Sequence, residues 1–190
     1  MSTTPTPSAA RAVPAPASGG AASPLAQRVT GAIGLFERIP NTLVAFIARF
    51  SIAAVFWNSG QTKVEGLVLN LVTGEFALGW PRLSESALAL FQDEYKLPFI
   101  PPELAAPLAA FAEHLFPLLI LIGLATRFSA LALLVMTLVI QIFVYPGAYA
   151  THGTWAALLL YLMARGPGAL SLDHWLASRH AAARQHGRSS

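Results

Sequence analysis

The sequence has 190 residues, of which 55 % are hydrophobic and 11 % are charged, and its mean hydropathy is +0.56. This composition differs from that of soluble domains and predicts an integral membrane protein. The net charge of +3 is spread along the chain without the basic patch of a nucleic-acid-binding protein, and the absence of cysteine excludes disulfides and thiolate-bound metal clusters within this chain.

The N-terminal residues 1–24 are rich in Pro, Ala, Ser and Thr and have no periodic apolar face. We therefore expect a disordered cytoplasmic tail there, and it lacks the apolar region of a secretory signal. A membrane domain is expected over residues 25–178, followed by a basic C-terminal tail over residues 179–190. Its first segment predicts an amphipathic helix on the membrane surface, with a stripe formed by Leu25, Val29, Ile33, Phe36 and Ile39.

Four stretches are predicted to cross the bilayer, which needs about 20 apolar residues for about 30 Å of hydrocarbon. The last is the shortest, and prolines and glycines fall between the stretches. They cover residues 41–60, 102–125, 128–145 and 149–164. The predicted fold is an all-α membrane protein, a bundle of four transmembrane helices with amphipathic surface helices and a structured outer loop between the first two spans.

The distribution of cations predicts the orientation in the membrane, because Lys and Arg are enriched in cytoplasmic loops. With four spans, three cations fall on one side, and these are Lys63, Arg82 and Lys96. Eight fall on the other, and these are Arg11, Arg28, Arg38, Arg127, Arg165, Arg179, Arg184 and Arg188. Both termini are therefore expected to be cytoplasmic, with the chain in the bacterial inner membrane.

The long outer connection, residues 61–101, is expected to carry its own structure. A Thr-Gly-Glu turn between apolar runs at residues 67–80 predicts a short hairpin. Residues 82–95 predict a helix capped by Ser84. After the fourth span, a further surface helix is expected to begin at Ser171, with Asp173 in its first turn.

Two charged residues lie deep within the predicted spans, where a charge is costly and marks a functional or pairing hypothesis. Arg49 lies roughly 12 Å from the cytoplasmic end of its span and Glu113 roughly 18 Å from the same side. Since an arginine side chain can cover the difference, an Arg49–Glu113 pair is expected. Such a pair could be a structural salt bridge that only fixes the register of the two helices, or it could be part of a proton or substrate path. Both interpretations stay open.

Further polar groups cluster toward the outer side of the predicted bundle. Gly60 and Lys63 continue the face of Arg49, and Gly60 leaves room for a neighbour or ligand. Gln141 and His152 are expected near the same level, where they would form hydrogen bonds between helices or contact a quinone carbonyl. His114 lies too deep to share a haem iron with His152, and no metal site is predicted.

Several stretches together resemble the DoxX family of small four-helix bacterial membrane proteins. They are "ARFSIAAVFWNSGQTKVEG" at residues 48–66, "LFQDEYKLPFIPPELAA" at residues 90–106, and an almost continuous match over residues 110–176. The resemblance implies an inner-membrane oxidoreductase subunit that works with a quinone. The residues themselves show no nucleotide fingerprint or thiol pair, so electron transfer would need a lipid-soluble carrier or partner subunits.

The favoured function is a quinone-interacting or membrane-anchoring subunit of an oxidoreductase system. A small transporter that uses the intramembrane polar groups and a scaffold without chemistry are the alternatives. The predicted catalytic residues are Arg49, Glu113 and His152, and the predicted ligand-binding residues are Gly60, Lys63 and Gln141. No covalent cofactor or nucleic acid is expected; the expected partners are the lipid bilayer and oxidoreductase subunits.

Overall fold

The computed structural model describes residues 23–70 and 74–186. The predicted N-terminal tail therefore lies outside the described residues up to residue 22, as do residues 187–190 of the predicted C-terminal tail. The helices are α1 (Pro24–Phe36), α2 (Asn41–Gln61), α3 (Glu85–Leu90), α4 (Pro102–Ile122), α5 (Thr126–Val139), α6 (Tyr149–Arg165) and α7 (Leu172–His186). Strands β1 (Val64–Asn70) and β2 (Glu75–Leu83) lie between α2 and α3.

The described residues form two separate units, one up to Ile39 and the other from Pro40. In the first, α1 confirms the predicted helix up to Phe36, whereas Ile39 of the predicted stripe lies beyond its end. In the second, α2 packs against α4 and α6, and α5 packs against the same two helices, so that the four form a closed ring. Their shared core includes Ile52 and Phe56 of α2, Ile120 of α4, Leu133 of α5 and Leu159 of α6.

Within the described residues, three helices are long and apolar enough to cross a membrane. They are α2, α4 and the continuous helix Thr126–Val144, which is α5 extended by the π-helical turn Ile140–Val144. The fourth predicted span, α6, has 17 residues, which gives a length of about 26 Å. That α6 crosses the membrane and that both termini are cytoplasmic stay predictions.

The connection between α2 and α4 has the predicted hairpin. Strands β1 and β2 pair antiparallel, with Asn70 opposite Glu75. Ser84 then caps α3 by accepting a hydrogen bond from Ala87 N at 3.1 Å, as the sequence predicts. A π-helical turn, Phe91–Tyr95, continues α3 and packs against α4. The end of the bundle where α2 and α5 finish is therefore next to β1 and the segment after β2, and we refer to it as the hairpin end.

The opposite end is organised by the start of α7, and we refer to it as the α7 end. Ser171 caps α7 by accepting from His174 N, which confirms the predicted start of this helix. Both oxygens of Asp173 accept hydrogen bonds from the first amides of α5, from Ala125 N at 2.8 Å and Thr126 N at 3.0 Å. Asp173 thus joins α7 to α5, and a carboxylate there is also favoured by the α5 dipole.

Candidate functional site

A buried ion pair joins Lys63, which follows the end of α2, to Glu113 of α4 near the hairpin end. Lys63 Nζ lies 2.7 Å from Glu113 Oε2, and the two side chains are 3 % and 4 % exposed. The Ser59 hydroxyl donates to Glu113 Oε1 at 3.3 Å and accepts from Lys63 Nζ at 3.0 Å. We refer to Ser59, Lys63 and Glu113 as the α2–α4 group. Its several contacts matter because removing either ion from water costs several kcal/mol.

The backbone around this group permits a close approach of the two helices. A Cβ at Gly60 would lie 2.8 Å from His114 Cε1 and 3.1 Å from Glu113 Cβ. The room that the sequence predicts at Gly60 is therefore filled by side chains of α4. One turn beyond Glu113, Pro117 has no N–H to donate to the Glu113 carbonyl. The Lys63–Glu113 pair thus lies where the backbone hydrogen bonds of α4 are interrupted. At the same level, α4 packs directly against α2.

His114 links α4 to the end of α2 and to the hairpin. Its Nδ1 lies 2.7 Å from the Ala110 carbonyl oxygen, which can only accept, so Nδ1 carries the proton. Its Nε2 then accepts from Gln61 Nε2 at 2.9 Å, and Gln61 Oε1 accepts from Leu69 N at 2.8 Å. Both ring nitrogens of His114 are occupied, which indicates a structural role.

A second polar pair joins α5 to α6, and we refer to Gln141 and His152 as the α5–α6 group. His152 Nδ1 lies 2.7 Å from Gln141 Oε1, and Gln141 Nε2 donates to the Pro146 carbonyl at 2.7 Å. Because the amide donates through its nitrogen, its oxygen must accept, and His152 Nδ1 carries the proton. The Nε2 atom of a neutral His152 is then a hydrogen-bond acceptor. Gln141 lies in a π-helical turn, a distortion frequent at functional sites.

Aromatic rings connect the α5–α6 group to α2 and cover the hairpin end. Trp155 lies 5.0 Å from the His152 ring and 5.6 Å from the Phe56 ring, measured between centroids. Tyr95 stacks edge-on against Tyr145, which donates a hydrogen bond to Glu94. Burial raises the pKa of the Tyr95 phenol above its ordinary value. These rings provide flat apolar surfaces beside the polar groups.

Arg49 does not pair with Glu113, so the predicted Arg49–Glu113 pair is wrong. Its Nη2 donates to the Leu170 carbonyl at 2.6 Å at the α7 end, and its guanidinium lies close to Gly123. The side chain extends toward the nearer end of α2, where the segment before α7 folds over the bundle. Glu113 instead meets Lys63, which the sequence placed at the outer surface but which is 3 % exposed.

The buried guanidinium of Arg49 also has nitrogen atoms without hydrogen-bond partners among the described residues. Arg49 is 2 % exposed, and neither Nε nor Nη1 has a hydrogen-bond partner among the described residues. Asp173 attracts it electrostatically across the α7 end. A buried guanidinium whose N–H donors lack acceptors lowers the stability of the folded protein. A gain in packing alone therefore does not explain why Arg49 is buried.

The six predicted site residues therefore divide between the two ends of the bundle. Gly60, Lys63, Glu113, Gln141 and His152 lie toward the hairpin end, whereas Arg49 contacts the α7 end. Sequence reasoning did not identify three contributing residues, namely Ser59, Gln61 and Tyr95. Ser59 lies one turn before Lys63, and that spacing is the only sequence signal that could have indicated it.

Comparisons with known proteins show which sequences the chain is similar to. The family model described as DoxX matches residues 44–146, more than half of the chain. An uncharacterized protein of Haemophilus influenzae is 29 % identical over 147 residues, which cover 72 % of this chain and 85 % of that protein. No solved structure matches the chain. The family match spans α2 through the π-helical turn after α5, and thus most of the polar groups described above.

Proposed function

Because the chain belongs to the DoxX family of membrane proteins, we propose that it is a quinone-interacting and membrane-anchoring subunit of an oxidoreductase system in the bacterial inner membrane. In this proposal α2, α4, α5 and α6 all cross the bilayer. The ring that the four helices form and the cations at the α7 end support both termini being cytoplasmic. The hairpin end then faces the opposite side.

The α5–α6 group carries the proposal. A quinone bound there would supply two-electron, two-proton chemistry, and the chain would supply hydrogen bonds and a route for protons. Neutral His152 offers Nε2 as an acceptor for a hydroquinone hydroxyl. After it takes up a proton, the same atom donates to a carbonyl oxygen while Nδ1 stays on Gln141. Trp155 offers an apolar face for a planar ring.

The α2–α4 group also lies toward the hairpin end. Lys63 and Glu113 place a cation and a carboxylate inside the bundle near the hairpin end. In this proposal Glu113 and His152 are the proton carriers, and the Lys63 ammonium would stabilise negative charge on a quinone bound at the hairpin end. Arg49 contributes from the α7 end by holding the segment that precedes α7.

Native purification tests this function. We expect a quinone to remain bound to the wild-type protein after gentle detergent extraction, detected by mass spectrometry of the lipid extract, together with partner subunits. His152→Ala should lose the quinone because it removes the Nε2 acceptor. His180→Ala, an exposed histidine of α7, is the matched control and should retain it. A quinone-free wild-type protein, or equal retention by both variants, would contradict the proposal.

Transport is a second candidate because the buried Lys63–Glu113 pair places ionisable groups inside the ring of helices. The two functions differ in what the protein does alone. Proton flux through liposomes that contain only the purified protein, without any quinone, would favour transport. If neither quinone nor flux is found, a scaffold role remains.

A further inference from the structure

A cleft of about 630 Å³ opens at the α7 end, away from the polar groups of the proposed quinone site. It lies where α2 and α5 begin and α6 ends, and its walls include Thr42, Arg127, the segment 165–169 and His174. The amino-terminal ends of α2, α5 and α7 border it, as does the carboxyl-terminal end of α6, so positive helix ends outnumber negative ones. The charged side chains are two arginines and one carboxylate, and the charges around the cleft therefore favour an anion.

Two arginines, Arg127 and Arg165, and one carboxylate, Asp173, line this cleft. Among the described residues, neither Arg127 nor Arg165 forms an ion pair. Asp173 also borders the cleft, but both of its oxygens accept hydrogen bonds from the first amides of α5. A Cβ at Gly166 would lie 3.6 Å from Arg127 Nη2, so the Arg127 guanidinium lies beside the residue that follows Arg165. The two arginines are thus brought to one wall of the cleft.

An apolar groove of about 470 Å³ adjoins the cleft. Its walls include Ile122, Leu170, Leu172 and Trp175, and Ala169 borders both the groove and the cleft. Leu170 and Leu172 are 68 % and 41 % exposed. The cleft thus presents cationic side chains and the adjoining groove presents apolar ones, an arrangement that fits an amphiphile better than a small anion.

We propose that the cleft binds the phosphate group of an anionic membrane lipid, with part of an acyl chain in the adjoining groove. Arg127 and Arg165 donate to the phosphate oxygens, for which the guanidinium geometry is well suited. The position suits a headgroup, because the cleft lies at the ends of helices that are long enough to cross a bilayer. Inorganic phosphate shares the headgroup chemistry but has nothing to place in the groove.

The test measures the affinity of the full-length protein in detergent for phosphatidylglycerol by native mass spectrometry. Arg127→Gln and Arg165→Gln should each weaken binding about tenfold, as expected for the loss of a charge-assisted hydrogen bond. Arg184→Gln, which removes the same charge from an exposed site on α7, should leave it unchanged. Arg127→Lys keeps the charge and should retain part of the affinity, which controls for misfolding.

A substitution in the groove distinguishes a lipid ligand from free phosphate. Leu172→Ser should weaken phosphatidylglycerol binding and leave inorganic phosphate binding unchanged. Equal lipid affinity in the wild type, Arg127→Gln and Arg165→Gln would overturn the site. Displacement of the lipid by equimolar inorganic phosphate, together with no effect of Leu172→Ser, would overturn the lipid as its ligand. These outcomes are independent of quinone retention, which concerns the hairpin end.

Discussion

Replacing Lys63 by methionine is expected to lower the free energy of unfolding by about 3–5 kcal/mol, because the Glu113 carboxylate would stay buried without its cation. The Ser59 hydroxyl would remain as its partner, at 3.3 Å. Reversible unfolding in mixed micelles, followed by circular dichroism as the fraction of denaturing detergent rises, measures the change.

Lys96→Met is the matched control, since Lys96 is an exposed lysine in the same connection between α2 and α4. It should change the free energy of unfolding by about 0.5 kcal/mol or less. A Lys63→Met, Glu113→Met double variant should recover most of the loss, because two apolar side chains leave no unpaired charge. If Lys63→Met costs no more than Lys96→Met, the buried pair is not present in the protein.

Gly123→Ala is expected to destabilise the α7 end by about 2–4 kcal/mol, from backbone strain and from overlap with its neighbours. Gly123 ends α4 with φ 72° and ψ 41°, a left-handed conformation. A Cβ there would overlap Arg49 Nη1 and the Cβ of Ser171. The same unfolding experiment measures the loss.

Gly74→Ala isolates the contribution of backbone strain, because Gly74 also has φ 72° but a Cβ there would meet nothing within 4 Å. It should cost about 1–2 kcal/mol. Combining Gly123→Ala with Arg49→Ala should recover part of the difference by removing one of the overlapping groups. Equal losses in Gly123→Ala and Gly74→Ala would show that Arg49 and the α7 segment do not pack against the end of α4.

Local features of the fold could be predicted because neighbouring residues determine them. The Thr-Gly-Glu sequence favours a hairpin, and strands β1 and β2 pair with Asn70 opposite Glu75. Ser84 and Ser171 cap helices that begin where the sequence indicates, since capping needs only a hydroxyl and amides within three residues. Apolar length identified the segments that become α2, α4 and the continuous helix through α5.

The partners of the buried charges could not be predicted, because they depend on contacts between distant parts of the chain. Arg49 meets a backbone carbonyl 121 residues later, and a carbonyl has no sequence signature. Lys63 follows the last turn of α2, so its inward direction depends on how the hairpin leaves that helix. Helix lengths gave approximate depths for Arg49 and Glu113, but depth alone does not show which side chain a neighbour presents.

The two proposals concern different ends of the bundle. His152 has a fixed partner on Nδ1 and an available acceptor on Nε2, whereas both nitrogens of His114 are occupied. At the α7 end, both oxygens of Asp173 accept hydrogen bonds from backbone amides, and the arginines have no ion-pair partner among the described residues. The proposed redox contacts and the proposed lipid contacts therefore involve separate residues and can be altered independently.

Quinone binding at His152 can be measured directly through Trp155, whose ring centroid lies 5.0 Å from that of His152. A quinone bound beside an indole quenches its fluorescence, so titration of the purified protein with a water-soluble short-chain quinone should give saturable quenching. Trp155→Phe should remove most of this signal, and His152→Ala should weaken the affinity about tenfold. Quenching that does not saturate, or that is unchanged in His152→Ala, would contradict a quinone site at the hairpin end.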